Sequence, residues 1–189
     1  MQKERPVKIR GDKLKELMDA RGVGVDQLAA AVERDGLKGE RALSAVRNWI
    51  RGNDHPRCKP ADAAKLAGAL GVRVTDIARF TSSIFGHRGS PRKAKLLVDL
   101  IRGKTIDQAI SALSFTTKRA AVDVKKCLDA AVADAQQFEA DVTNLVVAES
   151  RCDHGLRMKR FQPKDRGRAH PIIKRFSNIT IGVQERTGR

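Results

Sequence analysis

Aromatic residues, cysteines and long apolar runs are all scarce in this chain of 189 residues. It has one Trp, six Phe and no Tyr, too few to build the stacking platforms with which single-strand binders hold successive bases. No run of about 18 apolar residues is present to cross a bilayer. The basic stretch of residues 1–10 leads into no apolar signal core. We therefore expect a soluble, cytoplasmic protein without a membrane partner.

The three cysteines, Cys58, Cys127 and Cys152, are odd in number and far apart, which argues against a secreted disulfide framework. His55 with Cys58 and Cys152 with His154 form two loose pairs, whereas a structural zinc site needs four ligands in two tight pairs. The chain also offers no nucleophile beside a base, no paired carboxylates and no phosphate-cradling glycine loop. We expect no metal, no cofactor and no catalysis.

Positive charge is what the chain has in excess. Thirty-eight Lys and Arg stand against 22 Asp and Glu, giving a formal charge of +16 and a pI of about 10.4. A polycation gains free energy by displacing counterions from a polyphosphate. Nucleic acid is therefore the expected partner, held through its phosphates and its shape rather than by base stacking.

The pattern of apolar residues divides the chain near residue 80. Residues 1–80 begin with a basic tail and then predict an all-helical bundle of short amphipathic helices. Residues 81–189 predict helices followed by strands. We predict an α+β protein in two parts, with these bounds. The inward residues of the bundle are Leu14, Leu17, Met18, Leu28, Ala29, Val32, Val46, Trp49, Ile50, Ala63, Leu66, Ala67 and Leu70.

Residues 46–52 (VRNWIRG) and 65–72 (KLAGALGV) resemble the phage-repressor class of helix-turn-helix domain, over roughly residues 10–78. The join at residues 33–40 is several residues longer than the turn of that class. The start of the recognition helix, residues 42–45 (ALSA), offers no Arg, Asn or Gln to base edges. We therefore expect a packing role or an RNA-backbone contact, with a sequence-specific DNA-binding regulator as the alternative. The cations left for phosphates are Arg41, Arg47 and Arg51.

Three helices are predicted after residue 81. Ser90 and Pro91 suit the N-cap and first position of one helix, Thr105 to Gln108 form a capping box for the next, and a third is expected over residues 116–138. The first turn of the first helix carries Arg92, Lys93 and Lys95, where the helix dipole disfavours cations. This arrangement suggests that an external anion binds there.

Residues 145–148 and 178–184 predict strands, the second one half-buried. Residues 151–175 between them have almost no apolar periodicity, yet they are not of low complexity. From Leu156 to Arg189 there are ten cations and two acids, which is half of the formal charge. A basic hairpin without a core of its own cannot fix its shape alone. It requires an outside partner such as RNA.

Several segments match, in order and spacing, one family over about residues 82–186. They are SPRKA at 90–94 with LIRGK at 100–104, Phe115-Thr116 with Lys118, and MKR at 158–160 with Pro163, RGRA at 166–169, Lys174-Arg175 and Ile179-Thr180. They resemble the large-subunit ribosomal protein twenty-two family. The resemblance implies a domain of three helices and a small antiparallel sheet with an extended β-hairpin. It also implies a structural ribosomal protein that binds 23S rRNA beside neighbouring large-subunit proteins.

The resemblance further implies that the hairpin tip lines the nascent-peptide exit tunnel, where the nascent peptide would be a partner. Asp165 departs from the basic or small residues usual near the tip, and the family says nothing of residues 1–80. The tip is expected to be Phe161, Gln162, Pro163, Lys164, Asp165, Arg166, Gly167, Arg168, Ala169 and His170. The expected rRNA-binding residues are Arg92, Lys93, Lys95, Arg102, Lys104, Lys118, Arg119, Lys159, Arg160, Lys164, Arg166, Arg168, Lys174 and Arg175.

Overall fold

A computed structural model describes residues 7–186 of the chain. Most of the predicted basic tail, with Lys3 and Arg5, lies outside the described residues. The first part of the chain contains β1 (Val7–Ile9), α1 (Gly11–Arg21), α2 (Val25–Val32), α3 (Glu40–Ile50), α4 (Pro60–Leu70) and α5 (Val74–Ile77).

The second part contains β2 (Ala78–His87), α6 (Pro91–Ile101), α7 (Ile106–Ser114), α8 (Ala120–Gln136), a 3-10 turn (Val142–Asn144), β3 (Leu145–Pro163) and β4 (Ala169–Glu185). The predicted α+β fold with a long β-hairpin is confirmed. None of the helices between residues 7 and 186 is long and apolar enough to cross a membrane.

The four strands form one antiparallel sheet in the order β1-β2-β4-β3. β4 is therefore an inner strand, and residues 179–183 are all buried, where alternation predicted a half-buried strand. Its second face is covered by side chains from the neighbouring strands. A Cβ at Gly182 would lie 3.1 Å from Arg79, Thr81 and Glu149. The absence of a side chain at Gly182 therefore leaves room for these three side chains to pack over β4.

β1 corrects the prediction that the first part is purely helical with a tail. Val7 pairs with Phe80 and Ile9 with Ala78, so this segment adds an edge strand to the sheet of the second part. Val7 and Ile9 are buried, as alternation in a strand requires. Three residues are too short a run for periodicity to reveal, and the pairing partner lies about seventy residues away in sequence.

A half-buried charge cluster, on the face of the sheet opposite Val7 and Ile9, holds β1 in place. Lys8 and Arg79 lie directly opposite each other, a like-charge pair that alone would destabilise the sheet. Glu149 on β3 binds both, at 2.8 Å from Lys8 Nζ and 3.4 Å from the Arg79 guanidinium. Burial opposes ionisation of Glu149, but the Lys8 hydrogen bond and the charges of Lys8, Arg151 and Arg79 outweigh it and lower its pKa. The glutamate is therefore charged and spans the sheet from β3 to β1.

A second cluster joins the helical part to the end of β4. Arg73, before α5, binds the Glu185 carboxylate at 3.0 Å. The same glutamate accepts the backbone N–H of Asp141 at 2.9 Å. The core is also continuous, since buried residues of both parts form one hydrophobic cluster. The two parts are thus joined by strand pairing, ion pairs and a shared core.

α6 and α8 pack on the sheet through the stripes expected from the sequence, with Leu97, Ile101, Val124 and Leu128 all buried. Pro91 occupies the first turn of α6, as predicted. Two cap predictions are wrong in detail, because the side chains of Ser90 and Thr105 make no capping hydrogen bond. Thr105 instead forms an isolated bridge with Val146 of β3. α8 begins at Ala120 rather than at residue 116.

Candidate nucleic-acid interface

The outer half of the β3–β4 hairpin is an arm without a core. Its strands remain paired from Arg157 opposite Arg175 out to Pro163 opposite Ala169. No residue from 157 to 175 is buried. Phe161 is 73% exposed and Ile173 is 52% exposed, and Met158 and Ile172 are no more than half-buried. The hairpin predicted at about residues 151–175 therefore exists, and backbone pairing alone shapes its outer half.

The arm closes in a tight turn at Asp165-Arg166-Gly167-Arg168. The Arg168 N–H donates to the Asp165 carbonyl at 3.2 Å, and the Lys164 N–H donates to the Arg168 carbonyl at 2.7 Å. Arg166 and Gly167 have φ values of 54° and 69°, the two positive angles of a type I′ turn. The twist of this turn matches that of the strands. All ten expected tip residues are exposed.

Cations cover both faces of the arm. Directly opposite residues share a face, so Arg157, Lys159 and Arg175 lie on one side and Arg160 and Lys174 on the other. Arg157 directly opposite Arg175 is a like-charge pair, which costs stability. Within the described chain, no carboxylate lies within 4.0 Å of any arm cation. The arm thus concentrates positive charge that the protein itself leaves uncompensated.

The predicted cations at the base of the arm meet the first turn of α6. A shallow pocket of about 370 Å³ is lined by Arg88, Gly89, Ser90, Ile173, Lys174 and Arg175. Arg92, Lys93 and Lys95 follow on the exposed side of the same turn. Sequence analysis missed Arg88. The only signal for it was a basic residue in the turn between a strand and a helix.

The start of α8 joins this same end of the molecule. The buried His87 at the end of β2 hydrogen-bonds Asp123 in the first turns of α8, so the start of α8, which follows Lys118 and Arg119, lies beside the end of β2. Both predicted cations are exposed. One end of the second part therefore gathers the hairpin base, the α6 start and the α8 start.

Arg102 and Lys104 are the two predicted residues that the structure places elsewhere, past the opposite end of α6. Arg102 pairs with Asp99 at 2.9 Å and also donates to the Ser150 carbonyl. Lys104 is half-buried, and its carbonyl accepts the Val147 N–H at 2.9 Å, while the neighbouring Gly103 N–H donates to the Val147 carbonyl at 2.9 Å. Both residues contribute to the docking of α6 on β3.

The cysteines are not gathered into a site. Burial raises the pKa of Cys58 to about 12, and burial also raises the pKa of Cys127 and Cys152. All three are free thiols. Among residues 7–186, no three His, Cys, Asp or Glu side chains are arranged to hold a metal ion.

An α+β domain with a long, exposed and cationic hairpin is typical of proteins that bind a polyanion from outside. The model of the family Ribosomal protein L22p/L17e matches residues 84–184. The chain belongs to this family of structural proteins of the large ribosomal subunit, which associate with ribosomal RNA and other ribosomal proteins at the ribosome. Proteins of this family are structural and are not known as enzymes.

Proposed function

We propose that the chain binds 23S rRNA in the large subunit and that its hairpin tip lines the nascent-peptide exit tunnel. The observation that carries the proposal is the arm at residues 157–175, with eight cations, one acid and no buried residue. An isolated two-stranded ribbon is marginally stable at best, and this one also opposes Arg157 to Arg175. Phosphates packed around the arm would offset both costs.

The cations at the base of the arm supply a second contact of the same domain. Arg88, Lys174 and Arg175 flank the shallow pocket beside Ser90. RNA wrapped around the arm would reach this end first, because the arm projects from it. We propose that these cations, with those of α6 and α8, hold separate RNA segments together. Arg102 and Lys104 lie away from this end, and the Arg102 guanidinium is already paired with Asp99.

The tip is proposed to contact the nascent peptide. It is narrow, since one type I′ turn closes it, and Arg168, Lys164 and Arg166 surround the single acid Asp165. Such a tip fits a passage walled by RNA. The expected cytoplasmic location follows the ribosome and belongs to the same proposal. In the described chain, no observation favours the alternative of a DNA-binding regulator.

The RNA contact is tested with the full chain and 23S rRNA in a salt titration. Changing Lys159, Arg160 and Lys164 to Gln should lower the slope of log K against log salt by about two units, at roughly 0.7 to 0.9 per lost phosphate contact. The matched control changes Lys15, Arg21 and Lys65, three exposed cations of the helical part. A slope that falls equally in both variants would contradict a specific role for the arm.

The tunnel contact is tested by cross-linking. A photoreactive residue at Arg166 should capture the nascent peptide of stalled ribosomes, whereas one at the exposed Val122 of α8 should not. Capture of rRNA alone from position 166 would place the tip against the RNA and away from the passage. Failure of the full chain to sediment with large subunits would overturn the whole proposal.

A further inference from the structure

Charge is unevenly distributed within the helical part, which the family match does not cover. Residues 11–40 contain five cations and seven acids, whereas residues 41–59 contain five cations and one acid. The second stretch is α3 without its acidic first residue, Glu40, together with the loop that follows the helix. Within residues 11–59 the net positive charge therefore lies in α3 and the loop that follows it.

The exposed face of α3 carries three of these cations. At about 100° per residue, Glu40, Arg41, Ser44, Arg47 and Arg51 fall within an arc of about 120°. All five are exposed, and the core of the bundle takes the opposite side of the helix. Arg41 and Arg51 are separated by about 15 Å along the axis. The three guanidinium groups thus form a row along the helix rather than a cluster at its end.

Among residues 7–186, Arg41, Arg47 and Arg51 have no carboxylate within ion-pair distance, whereas two other cations of the helical part do. Lys13 pairs with Glu16 at 2.8 Å and Arg34 pairs with Asp62 at 3.2 Å. By contrast, no carboxylate of the described chain lies within 4.0 Å of Arg41, Arg47 or Arg51. Their charge is available to a partner.

The row of arginines continues into a groove at the junction of the two parts. Arg51 stands at a groove of about 570 Å³ that lies between the start of α1 and the strands β1 and β2. Its charged lining is Lys8, Arg10, Lys13, Arg51 and Arg79 against Asp12 and Glu16. The groove therefore extends the positive surface beyond the helix and onto the edge of the sheet.

The acidic residues near the start of α3 disfavour insertion of this helix into the major groove of DNA. A recognition helix enters the groove with its N-terminal end. Here that end bears the exposed Glu33, Asp35 and Glu40, and Glu33 is held there because it accepts the Gly39 N–H at 2.9 Å. Asn48, the amide on this face, already donates to the His55 carbonyl at 2.9 Å. The exposed face of α3 is therefore suited to contact a phosphate backbone, and its N-terminal end is not suited to enter the major groove.

We propose that the α3 arginine row, defined as Arg41, Arg47 and Arg51, and the groove at Arg51 bind the phosphate backbone of an RNA duplex. This would be a further RNA contact of the chain, separate from the hairpin arm and its base and without base specificity. That the RNA is ribosomal rests on the proposed function. The phosphate contact itself rests on the row and the groove.

The experiment measures binding of the full chain to a short RNA duplex across a range of salt. Changing the three arginines of the row to Gln should lower the salt slope by about two units, at roughly 0.7 to 0.9 per phosphate. The control variant of Lys15, Arg21 and Lys65 removes the same charge from α1 and α4 of the helical part and should keep the wild-type slope. Thermal melts confirm that each variant folds, since all six side chains are exposed.

A slope unchanged in the arginine-row variant, or lowered equally in the control, overturns the inference. A preference of about a thousandfold for one duplex DNA sequence also overturns it, since that is the mark of specific DNA recognition. The arm variant of Lys159, Arg160 and Lys164 separates the two proposals. If the arm variant keeps full binding to 23S rRNA while the arginine-row variant loses binding to the duplex, the proposed function fails and the phosphate contact stands.

Discussion

Removing the hairpin arm should weaken RNA binding and leave the free energy of unfolding almost unchanged. Residues 158–174 can be replaced by Asn-Gly, which favours the type I′ turn and would join Arg157 to Arg175, a directly opposed pair. The deletion takes away seventeen residues, none of them buried. Because a lone ribbon is close to marginal in stability, the free energy of unfolding should change by about 1 kcal/mol or less.

The same deletion removes six cations and one acid. If each cation meets a phosphate, the slope of log K against log salt for 23S rRNA falls by about four to five units, at roughly 0.7 to 0.9 per contact. Urea unfolding measures the first quantity and a salt titration the second. A loss of more than about 3 kcal/mol, a size typical of core damage, would refute the view of the arm as coreless. An unchanged slope would refute its role in phosphate binding.

Three further predictions concern single residues. Glu149→Gln should destabilise the protein by about 1.5–3 kcal/mol, because Lys8 and Arg79 lose their shared charged acceptor. The pKa of Glu149 is lowered in the folded protein. The difference in free energy of unfolding between wild type and variant should therefore be fully present above the unfolded pKa of about 4.3 and disappear as the pH falls through the folded pKa. Urea unfolding at a series of acidic pH values measures this difference. Gly11→Ala should cost about 1–3 kcal/mol in the same unfolding assay, since its Cβ would overlap the carbonyls closing α3; an unchanged midpoint would contradict the close approach of α1 and α3. Arg166→Gly should slow hydrogen exchange of the Arg168 amide by roughly fivefold or more, as the left-handed angle then costs about 1–2 kcal/mol less; faster exchange would contradict the type I′ turn.

The helices and the hairpin were predictable from the sequence, because their signals are local. Apolar residues at helical spacing placed α3 around Val46 and Trp49, and the same spacing placed α8 around Val124 and Leu128. The hairpin followed from a basic stretch between two apolar strands, and the family match at residues 84–184 confirms the resemblance that the motifs carried.

The strands β1 and β2 were not predictable, because their pairing is remote. Residues 78–87 (ARFTSSIFGH) alternate weakly and end in polar and glycine residues, and β1 is only three residues long. Arg88 was missed for the same reason, since its position beside Lys174 depends on a contact across the fold. The clusters at Glu149 and Glu185 likewise join residues more than one hundred positions apart, at 2.8 Å from Lys8 and 3.0 Å from Arg73.

The place of β4 in the sheet has a consequence for synthesis of the chain. Among residues 7–186 it is the last strand in chain order, yet it lies between β2 and β3. Until Ser177 to Glu185 have been added, β2 and β3 have no strand between them, and the buried side chains of Ile179, Ile181 and Val183 are missing from the core. A product that stops short of this strand also has only one side of the arm. Folding of the second part therefore requires translation through β4, because the arm needs both β3 and β4.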